Sequence, residues 1–163
     1  MKKMNEPKDF ELDELNMELL ALDSKHYHCS QILMILGLRL LGHDVAQNAD
    51  LIRATGGLAL GLWDSNEVCG TLLGGACLLG LYGGKGHDEE EEAEWLRMAV
   101  HRLVGWFRET HAEPGKNETR SIRCADILDR RGFGHCVLMV RSVYAKVLEL
   151  LNDYEIDLNE GRE

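Results

Sequence analysis

Apolar positions recur along most of the chain at three- and four-residue intervals, the spacing of one face of a helix. Cys29, Ile32, Leu33, Leu36 and Leu40 make one such stripe, and Cys136, Val140, Val143 and Val147 make another. No stretch shows the strict alternation of a half-buried strand. The pattern predicts a first amphipathic helix from about Glu11 to Leu22. Ser24 reads as the N-cap of a second, running through "KHYHCSQILMILGLRLLG" to a stop at Gly42. A third, interrupted by Gly56 and Gly57, is expected from about Gln47 to Leu60. Asp64-Ser-Asn-Glu67 has the form of a capping box and predicts a helix from there to Gly83-Gly84. Asp88 is expected to open the next helix, which continues through "WLRMAVHRLVGWFRET" until "AEPGKN" breaks it. Ser121 should cap a shorter helix, "IRCADILDRR", and the last should run from about His135 to Asn152. The polar end "NEGRE" is expected to fray. The expected fold is all-α: one domain over residues 1–163, a compact bundle of about five to seven helices around a glycine-rich central helix.

That central segment is unusual. From Val68 to Gly84 it holds six glycines and two cysteines and no charge. A mid-helix glycine costs about 1 kcal/mol relative to alanine. A helix that tolerates several gains contacts that a side chain would block. Gly70, Gly74 and Cys77 form a strip of small residues, beside a face made of Cys69, Leu72, Leu73 and Ala76. The strip predicts a close helix–helix approach.

Composition narrows the function classes. The chain has 163 residues, 45% of them apolar, which suits one domain with a real core. A formal net charge of -10 leaves no basic footprint, so no nucleic-acid partner is expected. The run "HDEEEEAEW" reads as a solvated helix start. "GGKGHDEE" sets glycines before a helix start like a phosphate cradle, but its carboxylates would repel phosphate. The opening "MKKMNEPKDFELDELN" has no apolar core, so no secretory leader is expected, and no membrane span is expected either. The expected location is the cytoplasm, where five cysteines imply burial, metal binding or transient redox use.

Two thiols stand out by position. With Ser121 as N-cap, Cys124 is the third residue of its helix; with Gly134 as N-cap, Cys136 is the second of its own. Unpaired N–H groups and the helix dipole there favour a thiolate, and Arg123, Arg130 and Arg131 add positive charge. Both are therefore expected to be the most reactive thiols. Metal spacing is weaker. There is no CxxC, and no CxxCH for covalent haem. His26 and Cys29 could share a metal at three-residue spacing. A four-cysteine site gathered from separate helices would suit zinc or an iron–sulfur cluster.

The order "HYHCSQILM", "EVCGTLLGGACLLGLYGG", "SIRCADIL", "GHCVLMV" resembles the bacterial redox-active protein family named for its cysteine pattern, C_GCAxxG_C_C. The likeness runs from about Ser24 to Leu151. It implies that the family cysteines are Cys29, Cys69, Cys124 and Cys136, with Cys77 outside the pattern. Thr71-Leu72-Leu73 stands where the family often has Ala-Leu-Thr. The resemblance implies a helical fold, related to part of a split-Soret cytochrome, and a thiol or metal site. Covalent haem is not expected, because the attachment sequence is missing.

Three readings follow. The four cysteines carry thiol/disulfide or electron-transfer chemistry, as in an oxidoreductase with a redox partner protein or a small electron carrier. Alternatively the same four bind a metal ion or an iron–sulfur cluster. The third reading is a non-catalytic helical interaction protein, a homo-oligomer through its glycine-rich helix.

Overall fold

The computed structural model describes residues 9–117 and 119–161. The leader reading rests largely on Met1 to Lys8, and the end of the tail on Arg162 and Glu163; both lie outside the described residues. Among the described residues seven right-handed helices follow one another: α1 (Asp9–Ser24), α2 (Cys29–Leu40), α3 (Ala49–Thr55), α4 (Gly70–Gly83), α5 (Leu96–Thr110), α6 (Cys124–Arg131) and α7 (Gly134–Asp153). The same residues contain no strand, only two isolated antiparallel bridges, Val68 with Arg123 and Glu113 with Ser121. The fold is all-α, as the periodicity predicts. No helix among the described residues is long and apolar enough to cross a membrane.

The glycine-rich α4 is the centre. It packs against α2, α5 and α7, and its Leu72, Leu78 and Leu79 are fully enclosed by them. The expected close approach is present. A Cβ on Gly74 would stand 2.8 Å from Ser30 Cα, and one on Gly70 2.9 Å from Cys29 Sγ. The start of α2 thus lies directly on the first turns of α4. Leu33, Ile35 and Leu38 of α2, Leu103 and Phe107 of α5, and Val143, Val147 and Leu150 of α7 complete a continuous core.

Several helix starts differ from the sequence expectation, each for a local reason. Ser24 ends α1, its hydroxyl donating to the Ala21 carbonyl. His26 then takes φ 65°, and α2 begins only at Cys29, where Gln31 Oε1 accepts from the His28 amide at 3.1 Å. Asp64 does not cap α4. Residues Leu60 to Asp64 all have positive φ, so the segment Ala59–Asp64 is a left-handed turn. Asn66 also takes positive φ, Val68 then pairs with Arg123, and Cys69 is the N-cap of α4. The acidic run is loop rather than helix: Glu90 accepts from the Gly86 amide, and α5 starts at Leu96. Ser121 is drawn into the bridge with Glu113 and donates to Asp126, so α6 begins at Cys124. Beyond α7 the chain does not fray at once: Tyr154 stacks on Trp95, and Tyr82 donates to the Leu158 carbonyl at 2.7 Å.

Candidate functional site

These shifts in helix starts share one consequence. Cys29 is the first residue of α2, Cys69 the N-cap of α4, Cys124 the first residue of α6, and Cys136 the third residue of α7. Each of the four thiols therefore sits at a helix N-terminus, where backbone N–H groups lack helical partners. The sequence reading put only Cys124 and Cys136 there and left Cys29 and Cys69 inside helical stripes.

The connections bring these ends together. The Cys69 amide donates to the Ile122 carbonyl and the Cys124 amide to the Glu67 carbonyl, both at 2.9 Å. This two-way pairing sets the start of α4 beside the start of α6. Gly70 admits Cys29 Sγ against the same point. Cys136 meets Cys29 across a narrow crevice lined also by Leu19, Asp23, Ile32, Val137 and Val140. Electrostatic coupling follows that proximity: Cys69 raises Cys29, and Cys29, Cys69 and Cys136 all raise Cys124. Cys77 lies apart, pushed up by burial alone. All five cysteines are free thiols.

The left-handed turn is part of the site. Gly61, at φ 62°, faces Cys124; a Cβ there would stand 2.8 Å from both Cys124 Cβ and the Glu67 carbonyl oxygen. Only glycine suits both the conformation and the space. The turn also carries Leu60, Leu62 and Trp63 in a conformation that disfavours L-residues by about 1–2 kcal/mol each. It is held by the Trp63 indole, which donates to the Gly56 carbonyl at 3.0 Å and stands edge-on to His28. In return the Leu60 amide reaches the Cys29 sulfur.

Burial dominates the thiol electrostatics. It is the largest cause of the upward shift at every cysteine, and at Cys124 and Cys136 burial plus the neighbouring sulfurs push the pKa to about 12. The expected low-pKa pair is thus reversed: the N-terminal amides are present, but desolvation and like charge outweigh them. Cys29 and Cys69 have the strongest opposing donors. The Thr71 hydroxyl and the Ser30 and Leu60 amides favour a Cys29 thiolate; the Thr71 amide, the same hydroxyl and the Leu72 amide favour one at Cys69.

Thr71 is the polar neighbour of the thiols that sequence reasoning missed. It is 1% exposed and its Oγ1 has no hydrogen-bond partner. Ionised, either sulfur becomes its acceptor. The signal was its position where the resembled family often has alanine. His26, exposed on the turn before α2, joins no ligand group; among the described residues no three His, Cys, Asp or Glu side chains stand at metal-ligand geometry. A second polar pair lies against the middle of α7: the buried His111 ring meets the half-buried Ser142 Oγ at 3.1 Å, and burial holds the His111 pKa down at about 4.

Residues 27–150 match the family described as "Putative redox-active protein (C_GCAxxG_C_C)". The chain belongs to this family. The match spans all four converging cysteines, whereas α1, with the crevice residues Leu19 and Asp23, lies outside it. No curated protein and no solved structure matches the chain significantly. Membership of C_GCAxxG_C_C supports a redox role in general terms, and the geometry of the thiols has to supply the rest.

Proposed function

We propose that Cys29, Cys69, Cys124 and Cys136 form one thiol redox centre that cycles between dithiol and disulfide. The observation that carries this reading is the meeting of four free thiols at four helix N-termini, with the fifth, Cys77, excluded. Exchange with an external disulfide would oxidise two of these thiols and release the external pair as thiols, and a reductant would reverse it. The roles divide by exposure: Cys69 and Cys124 are buried, while Cys29 and Cys136 reach the crevice and would meet the reactant first. Free cysteines throughout fit a cytoplasmic, reducing compartment.

The test is equilibration of metal-free protein in dithiothreitol redox buffers, followed by thiol counting and peptide mapping. The expected result is one or two disulfides confined to the four family cysteines, with Cys77 still free. Oxidation of Cys77 ahead of them, or no disulfide under any buffer, refutes the reading.

A second reading has its own observation. The amide and hydroxyl donors around Cys29 and Cys69 are also what thiolates ligated to a metal require, and four cysteines suit zinc or an iron–sulfur cluster. Those four would be the ligands once drawn together, since they do not stand at metal-ligand geometry in this structure; an iron–sulfur cluster would supply electron transfer, whereas zinc, which has no redox chemistry, would only hold the thiolates. Visible absorption and metal analysis of anaerobically purified protein separate the two: a stoichiometric metal, with visible charge-transfer bands for an iron–sulfur cluster and without them for zinc, favours this reading, and a metal-free protein favours the first.

A further inference from the structure

The redox reading leaves open which reactant reaches the thiols, and the crevice at Cys29 and Cys136 speaks to that. We propose that the reactant is a small uncharged hydroperoxide, hydrogen peroxide in the simplest case, which enters between α1, α2 and α7 and oxidises Cys29, with Cys136 as the resolving thiol. This deepens the redox reading and rests on it.

Size comes first. The crevice holds about 30 Å³. One water-sized group needs about 10–15 Å³, so there is room for about two, the length of HO–OH. A peptide disulfide or a glutathione molecule is too large to enter and could reach the sulfurs only from the mouth, past the exposed Asp23. Polarity comes second. Leu19, Ile32, Val137 and Val140 make the walls apolar, and the one charged side chain lining the crevice is Asp23. An anionic reactant would lose solvation and meet a carboxylate, while a neutral one meets neither cost. The two thiols are also unequal. Cys29 faces the Thr71 hydroxyl and two amides that stabilise developing negative charge on sulfur, while Cys136 faces Asp23, which opposes it. Cys29 is therefore the attacking sulfur.

The step balances. Cys29 Sγ bonds to one peroxide oxygen, the O–O bond breaks, and the other oxygen leaves as water with the thiol proton. Cys29 is then a sulfenic acid. Cys136 Sγ bonds to Cys29 Sγ, the S–O bond breaks, and the hydroxyl leaves as water with the Cys136 proton. Two thiols and one peroxide give one disulfide and two waters; sulfur loses two electrons and oxygen gains them.

The experiment is single-turnover oxidation of reduced, metal-free, full-length protein by hydrogen peroxide, cumene hydroperoxide and oxidised glutathione. Each rate is divided by that reagent's rate with free cysteine, and the products are mapped. The expected normalised rate for hydrogen peroxide is at least tenfold above the other two, with a Cys29–Cys136 disulfide and one peroxide consumed per disulfide. Val137→Trp, which narrows the crevice, should lower the peroxide rate at least tenfold while circular dichroism is retained. If that variant does not fold, Asp23→Asn decides: the normalised rate for oxidised glutathione should rise severalfold towards that for peroxide. Equal normalised rates for all three reagents, a first disulfide elsewhere, or an Asp23→Asn protein with an unchanged rate ratio overturns the proposal. If dithiothreitol buffers still form disulfides among the four cysteines, the redox reading stands and only the reactant class falls. If none of the four oxidises ahead of Cys77 with any reagent, both fall.

Discussion

Cys69 and Cys77 lie on one helix two turns apart, and they differ in almost every physical respect. At the N-terminal end of α4, Cys69 is 3% exposed, receives amide and hydroxyl hydrogen bonds when ionised, and is one of four thiols that perturb one another. Two turns on, Cys77 borders an open groove with Leu51, Gly80 and Leu81, and no other thiol bears on it. The glycines divide the same way. Gly70 and Gly74 are pressed against α2, while a Cβ on Gly80 would meet nothing within 4 Å. Residue type therefore does not distinguish site from scaffold here. What does is whether a helix start, and the neighbour that packs onto it, surrounds the thiol.

The largest effect should come from filling the close approach at one end of α4 and comparing it with the other. Gly74→Leu puts a side chain where Ser30 Cα already stands, and backbone cannot move aside cheaply. Overpacking of this kind costs about 1–3 kcal/mol and can cost more. Gly80→Ala has open space and should gain up to about 1 kcal/mol from helix propensity. Urea midpoints of the two variants should therefore move in opposite directions. A Gly74→Leu protein as stable as the parent would show that α2 does not lie on α4 as described.

The next comparison is chemical. In reduced, metal-free protein Cys77 should be alkylated at pH 8.5 at least tenfold faster than Cys124 or Cys136. Burial and neighbouring sulfurs hold those two at about 12, so roughly a thousandth or less of each is thiolate at that pH. The corresponding stability effect has a definite sign. A thiol raised in the folded state stays protonated after the unfolded chain ionises near pH 8.5. Its contribution is present below that pH and is lost as pH rises towards 12. The urea midpoint should fall over this window, and fall less in Cys124→Ser and Cys136→Ser. Alkylation of Cys124 as fast as Cys77 would mean that the helix-start amides outweigh burial after all.

That reversal marks how far the sequence could be read. Helical periodicity along Cys29 to Leu40 and Cys136 to Val147 is a local property, and it identified the helices and the inward faces. The close approach was legible because several glycines in an uncharged helix cost stability unless a neighbour occupies the space they leave. Helix starts were not. Ser24, Asp64, Asp88 and Ser121 each carry an acceptor side chain suited to capping, but Ser24 and the Asp88 segment are taken up by local bonds, and Asp64 and Ser121 by the left-handed turn after Ala59, the Val68–Arg123 bridge and the Glu113–Ser121 bridge. None of these has a local signature. The four family cysteines could be named from the resemblance, but their shared position at helix ends depends on those same contacts. Their pKa direction depends on burial, which spacing does not measure.

The smallest expected effect is the most discriminating, because it runs in two directions at once. Thr71 Oγ1 is enclosed beside Cys29 and Cys69 and has no hydrogen-bond partner. An unsatisfied buried hydroxyl costs about 1–3 kcal/mol relative to one that is paired. Valine has nearly the same shape and no polar group. Thr71→Val should therefore raise the stability of the reduced protein by about 1 kcal/mol in urea unfolding at pH 7. The same change removes a donor that favours the Cys29 thiolate, so oxidation of Cys29 should slow severalfold. Thr71→Ser keeps the hydroxyl and should keep the rate, at some cost in packing. A purely structural residue would not behave this way: its loss would lower stability or change nothing, and the rate would follow the fold. If Thr71→Val is less stable than the parent, or oxidises at the parent's rate, the hydroxyl does not serve the sulfurs. The chemical difference between the two ends of α4 would then rest on the backbone amides alone.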